Sequence, residues 1–229
     1  MSCWKLSGHF TAKCYIRTLP KPIMDTEIKK LNRFTTFPFV VDLLKRKKLT
    51  LLNPAFWEDY NDRETMEVYR QKTKSESIYA LCFTHRNETI HHWNAFANGT
   101  SGCCIEFSPE KLFGILSRDS RISHGKTKYL SLKGLCDFET AQLPYLKRLP
   151  FEPEKEYRII AASNEKQHAA FEVDIDLNAI RRITISNKIP QTVFESMKQV
   201  LLEIDPEFRG KIYHSTLFNN QTWIGHFKK

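Results

Sequence analysis

The sequence of 229 residues predicts an α+β fold, a single domain with a largely antiparallel central β-sheet flanked by helices. Three observations lead there. Short segments with apolar residues at every second position recur along the chain. Stripes at helical spacing fall between them, and the two kinds of segment never settle into the regular alternation that builds a parallel sheet. No Gly/Ser linker, low-complexity tract or internal repeat interrupts residues 29–229, which read as one domain, with residues 1–28 an extension packed on that core.

LNRFTTF at 31–37 predicts a short strand. Thr36 then stands as N-cap ahead of Pro38, and Phe39, Val40, Leu43 and Leu44 form a helical stripe. Lys45 to Lys48 close that helix, where positive charge complements the helix dipole. LTLLNP is a strand ending at Pro54, FWEDYNDRE an acidic loop, ESIYALCFTH (76–85) a strand, and ETIHHWNAFA (88–97) a helix or turn. SGCCIEF (101–107) alternates Cys103, Ile105 and Phe107 as a strand does, and Ser108-Pro109 starts a helix through Leu112 and Leu116. EYRIIAAS and AAFEVDIDL, separated by the polar NEKQH, predict an antiparallel hairpin. RRITIS is a further strand. Val193, Phe194, Met197, Val200, Leu201 and Ile204 describe an amphipathic helix, and KIYHSTL (211–217) a last strand.

Hydrophobic residues make up 41% and charged ones 27%, which excludes a disordered chain, and no apolar run approaches the roughly 20 residues that span a bilayer. The N-terminus interrupts its apolar residues with Lys, His and Arg, unlike a secretory signal, so the expected location is the cytoplasm. Cys3, Cys14, Cys82, Cys103, Cys104 and Cys136 show no CxxC spacing and read as buried free thiols. A net charge of +9 implies affinity for polyanions, a nucleotide or a nucleic acid meeting the basic surface.

Four stretches carry candidate chemistry. In FEPEKEYRII, Glu154, Glu156 and Arg158 fall two residues apart, so a strand would place all three on one face with Lys155, Tyr157 and Ile159 on the other. That face is either solvated or lines a cleft, where a carboxylate works on a substrate hydroxyl while Arg158, Lys147 and Arg148 receive an anion. THRNETIHHW brings His85, His91, His92 and Trp93 close in sequence, but adjacent histidines do not share a helix face, so metal is not expected; one of them suits a general base or a phosphate donor. Asp59, Asp62 and Glu64 lack the spacing of a calcium loop and read as an acidic turn offsetting the basic surface. RFTT at 33–36 sets a cation, an aromatic ring and two hydroxyls at a strand end.

Over most of residues 31–217 these stretches line up with one pattern: RFTTF before a helix and a strand ending in NP, then WEDYND, ALCFT, HHWNAFANGTSGCCIEF, KYLSL and LPYLKRLPFEPEKEYRII. The chain resembles the uncharacterised bacterial family called domain of unknown function 2971. It departs from that family in having Phe151 where a tryptophan is usual, and in lacking a DP dipeptide in the acidic loop. The order of elements is also similar to NAD-dependent ADP-ribosyltransferases. That resemblance implies Arg33 with Thr35 on the early strand, Phe83 or Thr84 on the middle one, and Glu154 or Glu156 as the catalytic carboxylate on the late one. It further implies NAD as substrate, no metal, Arg33 or Lys147 on the pyrophosphate, and a toxin or phage-defence setting. With the histidine stretch added, the candidate catalytic residues are Glu154, Glu156 and His92. The candidate substrate-binding residues are Arg33, Thr35, Phe83, Thr84, His91, Trp93, Lys147, Arg148 and Arg158. Two alternatives stand beside this: a metal-dependent nuclease or phosphoesterase, for which Asp59, Asp62, Glu154 and Glu156 must converge, and a non-enzymatic protein that binds nucleic acid or a partner.

Overall fold

The computed structural model describes residues 28–165 and 168–228; the extension expected over residues 1–28 falls outside them except for Ile28. The first strand, β1 (Leu31–Thr36), runs straight into α1 (Phe37–Arg46), with Thr36 as the extended N-cap and Pro38 in the first turn. Val40, Leu43 and Leu44 of α1 are buried, whereas Phe39 is 59% exposed, a correction to the expected stripe. Lys47 ends the helix in the left-handed conformation (φ 54°), and β2 (Lys48–Leu52) follows. The basic run here is largely internal bookkeeping of charge. Arg46 pairs with Asp42 and Glu172, and Lys48 with Glu172 and Asp174.

The stretch expected as an acidic loop instead starts α2 (Tyr60–Thr73), because Asp59 accepts from the backbone N–H of Asn61 and Asp62 as its N-cap. Next come β3 (Ser77–Thr84), α3 (Ile90–Phe96), β4 (Gly102–Phe107) and α4 (Pro109–Leu116), close to expectation. Three strands are absent from the sequence expectation: β5 (Ile122–Lys126), and the short β6 (Lys128–Leu130) and β7 (Leu146–Arg148), which pair in parallel as a separate ribbon. After a 3₁₀ turn over Leu149–Glu154 come β8 (Glu156–Ser163), β9 (Ala170–Asp174), β10 (Ile180–Ile185), α5 (Gln191–Ile204), β11 (Lys211–His214) and α6 (Gln221–His226).

Among the described residues nine strands form one sheet, antiparallel at every pairing except β10 with β11. The expected β8–β9 hairpin does not form. Both edges of β8 are already taken, by β3 and β5, so β9 pairs instead along the edge of β2. The sheet therefore has two wings, β11-β10-β4-β1 and β5-β8-β3-β2-β9, and β1 joins the second wing through a single register pair, Asn32 with Thr84. The same edge of β3 meets β2 only at Ala80 with Leu52. Between those two points the sheet opens.

One face of the sheet carries the main core. There Tyr79, Leu81 and Phe83 of β3, Tyr157, Ile159 and Ala161 of β8, and Ile105 and Phe107 of β4 pack under α1, α4 and α5. On the other face, α2 buries Met66 and Tyr69 against Ile78, Ala80 and Ile160. At its far end α3 seats Trp93 on Cys104 and Phe34. Gly102 fixes that seat, since a Cβ there would lie 2.0 Å from the carbonyl oxygen of Ala97 at the end of α3. Of the described cysteines, Cys103 and Cys104 are buried as expected and Cys136 is exposed, against expectation.

Candidate active site

The opening between the wings is a pocket of about 340 Å³ on the α2–α3 face of the sheet. Period two explains its walls: Asn32 and Phe34 on β1, Cys82 and Thr84 on β3, and Glu156 at the start of β8 all project to this face. Asp59 and Asp62 enter from the start of α2, His92 and Phe96 from α3, Lys147 from β7, and Glu154 from the 3₁₀ turn. Trp57 and Arg33 complete the polar and aromatic lining.

The floor is an ion cluster. Arg158, fully buried, donates through Nη1 to Asp62 Oδ1 at 2.8 Å and the Pro144 carbonyl at 3.0 Å, and through Nη2 to Asp62 Oδ2 at 2.6 Å and Glu156 Oε2 at 2.8 Å. Lys147 Nζ donates to Glu154 Oε2 at 2.6 Å and Glu156 Oε2 at 3.4 Å, and lies 3.6 Å from Asp62 Oδ2. Three carboxylates thus surround two cations, leaving one negative charge in excess when all are ionised.

The two glutamates differ. Burial opposes ionisation of both, but Arg158 and Lys147 outweigh it at Glu156 and hold its pKa down to about 2. At Glu154 burial prevails over the bond from Lys147, and its pKa is raised. Glu154 Oε1 accepts no hydrogen bond from any described residue. Lys147 stays charged, because Glu156 and Glu154 offset the burial that works against it. The two glutamates reach the same ammonium by a route other than simple strand alternation. Glu154 ends the 3₁₀ turn and Lys155 turns the chain in the left-handed region (φ 44°) before the strand begins at Glu156.

Arg33 stands apart from this cluster. Its guanidinium makes no hydrogen bond or ion pair with any described residue, and burial draws its pKa down to about 10, with neighbouring Cys82 pulling the other way. It remains a cation at neutral pH.

His92 is buried and both ring nitrogens are engaged. The Glu154 carbonyl, 3.0 Å from Nε2, can only accept, so Nε2 carries the hydrogen and Nδ1 takes the hydroxyl hydrogen of Thr89 at 2.9 Å. Burial lowers the His92 pKa, which favours this neutral form. Through these bonds His92, expected as catalytic, ties α3 to the backbone of Glu154.

Of the remaining expected site residues, Phe83 and Thr84 line the pocket. Thr35, His91, Trp93, Arg148 and Arg158 do not. Thr35 is buried in β1, and Trp93 is core, its indole N–H donating to Glu88. His91 and Arg148 are exposed. Arg158 lies beneath the floor with Asp62 and Glu156 as its partners, so it is not placed to receive an anion. Asn32, Phe34, Trp57, Cys82 and Phe96 were missed. Alternation counted back from Thr84 finds Cys82, and Phe34 is the aromatic ring of the RFTT stretch; Asn32 lies beside Arg33 but on the opposite face by period two, and nothing in the sequence points to it, to Trp57 or to Phe96.

No protein-family model matches the chain, that of domain of unknown function 2971 included, and no curated protein matches it. Among solved structures the chain is similar to Thermus sp. 2.9 DarT in complex with NAD+, with a TM-score of 0.44 and 12% identity over 82% of this chain and 96% of that one. It is similar to the same protein in complex with ADP-ribosylated ssDNA (TM-score 0.44, 11% identity, 82% and 95% covered) and with carba-NAD+ (0.42, 10%, 82% and 96%). Likenesses so distant carry no argument about what this chain does, which rests on the geometry of its pocket.

Proposed function

We propose that the pocket binds NAD and that the protein cleaves the bond between nicotinamide and ribose, as an ADP-ribosyltransferase or NAD glycohydrolase does. One observation carries this reading. One aromatic-lined cavity is bordered by Arg33, whose guanidinium has no partner among the described residues, and by Glu154, a carboxylate with an idle oxygen, over a floor with negative charge in excess. NAD carries the complementary charges, a pyrophosphate for Arg33 and a cationic pyridinium ribose for Glu154. When the C1′–N bond breaks, its electron pair leaves with neutral nicotinamide and the ribose develops oxocarbenium charge. Glu154 is the group to stabilise that charge. Water, or a nucleophile on an acceptor, then bonds to C1′ and gives up a proton. Glu156 is poorly suited to the role, because the buried Arg158 holds it in addition to Lys147, the cation it shares with Glu154. The net charge of +9 supports a polyanionic acceptor such as nucleic acid.

The second reading, a metal-dependent nuclease or phosphoesterase, draws on the convergence of Asp59, Asp62, Glu154 and Glu156 at the same pocket. Against it, Lys147 and Arg158 hold three of those carboxylates, and a divalent cation would have to displace an ammonium to reach them. Titration calorimetry with NAD distinguishes the two. NAD binding without metal, weakened about tenfold or more in Arg33→Gln, supports the first reading. No binding at millimolar NAD overturns it.

A further inference from the structure

Asn32 holds a hydrogen-bonding demand that no described residue meets. It sits on β1 at the one register pair that joins the two wings, is 2% exposed, and lines the pocket. Its Nδ2 donates to the Arg86 carbonyl at 2.8 Å, and since a carbonyl only accepts, this settles which end of the carboxamide is nitrogen. The other end, Oδ1, is buried and accepts no hydrogen bond from any described residue. A buried acceptor without a donor is disfavoured against an apolar side chain of the same size, so its place in a pocket wall calls for a donor that arrives with the ligand.

The surroundings restrict that donor. Phe34 lies two residues along the same strand and on the same face, its ring stacked on His92 at 5.2 Å and meeting Trp93 edge-on at 5.5 Å. Trp57 and Phe96 add further apolar rings to the lining. Such walls suit a flat aromatic group, and the idle oxygen suits an N–H at the rim of that group.

We propose that Asn32 is a specificity-determining residue of this pocket, its Oδ1 accepting from an amino group carried on a planar heteroaromatic ring of the ligand. This rests on the NAD reading and deepens it. NAD offers two groups of that chemistry, the carboxamide of nicotinamide and the exocyclic amine of adenine.

The test compares the affinity of the wild-type protein for three dinucleotides: NAD, 3-acetylpyridine adenine dinucleotide, in which a methyl replaces the carboxamide NH₂, and nicotinamide hypoxanthine dinucleotide, in which a carbonyl replaces the adenine amine. The expected result is that one analogue binds on the order of tenfold more weakly than NAD and the other does not, which identifies the group that Asn32 holds. Asn32→Leu, which keeps the size and removes the acceptor, is expected to bind NAD and the disfavoured analogue alike. Equal binding of all three dinucleotides by the wild type overturns the role of Asn32 and leaves the NAD reading standing. So does discrimination that persists in Asn32→Leu. Failure of the wild type to bind any of the three overturns both. The wild-type comparison needs no variant, so it decides even where Asn32→Leu does not fold.

Discussion

Arg158→Met tests whether the ion cluster is the structural base of the pocket. The guanidinium is fully buried and makes four hydrogen bonds, two to Asp62, one to Glu156 and one to the Pro144 carbonyl. Methionine fills much of the volume but leaves Asp62 and Glu156, 5% and 6% exposed, with Lys147 alone to balance them and Glu154. Removing one partner of a buried ion pair costs about 3–5 kcal/mol, because the charge left behind stays desolvated. With a urea m-value near the top of the usual range, about 3 kcal/mol per M, the unfolding midpoint falls by roughly 1–1.7 M at pH 7. The pH dependence gives a second reading of the same experiment. In the wild type Glu156 stays ionised until the pH approaches its depressed pKa of about 2. In the variant, burial without Arg158 favours the protonated carboxyl, so the deficit narrows as the pH falls from 7 towards 4. A loss below about 1 kcal/mol, or one that does not change with pH, refutes the argument that these charges hold each other in place.

Two further outcomes follow from the geometry. Gly102→Ala places a Cβ 2.0 Å from the Ala97 carbonyl oxygen, and is expected to cost about 1–3 kcal/mol in urea unfolding, by pushing α3 off β4. Acid unfolding is expected in two stages. His124 lies on β5, stacked on Phe113 with its Nδ1 2.6 Å from the Tyr157 hydroxyl, and burial lowers its pKa from 6.5 to about 4, so the stability that depends on its neutral form is complete above pH 6.5 and is lost as the pH falls through 4. The part owed to Glu156 is complete above its ordinary value of 4.5 and is lost towards pH 2; His124→Gln should remove the first stage and leave the second.

The sequence made the strands legible wherever one face was buried. Ala170–Asp174 alternates because one side of it meets the core, whereas Gly102–Phe107 reads as a strand through a nearly continuous apolar run, with Cys103, Ile105 and Phe107 in the main core and Cys104 buried under α3. Pairing was less legible: NEKQH looks like a hairpin turn, yet no local signal reports that β3 and β5 have already taken both edges of β8. The acidic stretch misled for a related reason. Asp59 and Asp62 read as solvated charge until α2 carries Asp62 onto Arg158, 96 residues away in sequence. Among the site residues, the cluster of Lys147, Glu154 and Glu156 was visible as a local concentration of charge. Arg33 was visible as a cation at a strand end. That Arg158 and His92 spend their hydrogen bonds on protein partners is tertiary information: Arg158 holds the carboxylates from beneath the floor, and His92, itself in the pocket wall, ties α3 to the backbone of Glu154.

On the proposed reading, Glu154 faces the ribose of NAD across from Arg33. The most direct measurement is nicotinamide release from NAD by the wild type and by Glu154→Gln, with matched circular dichroism and unfolding midpoints. Release by the wild type, reduced about a hundredfold or more in the variant with NAD affinity largely kept, is the result expected from loss of one electrostatic contact to the transition state. Equal release by both proteins, or none by the wild type with or without a nucleic-acid acceptor, contradicts the claim.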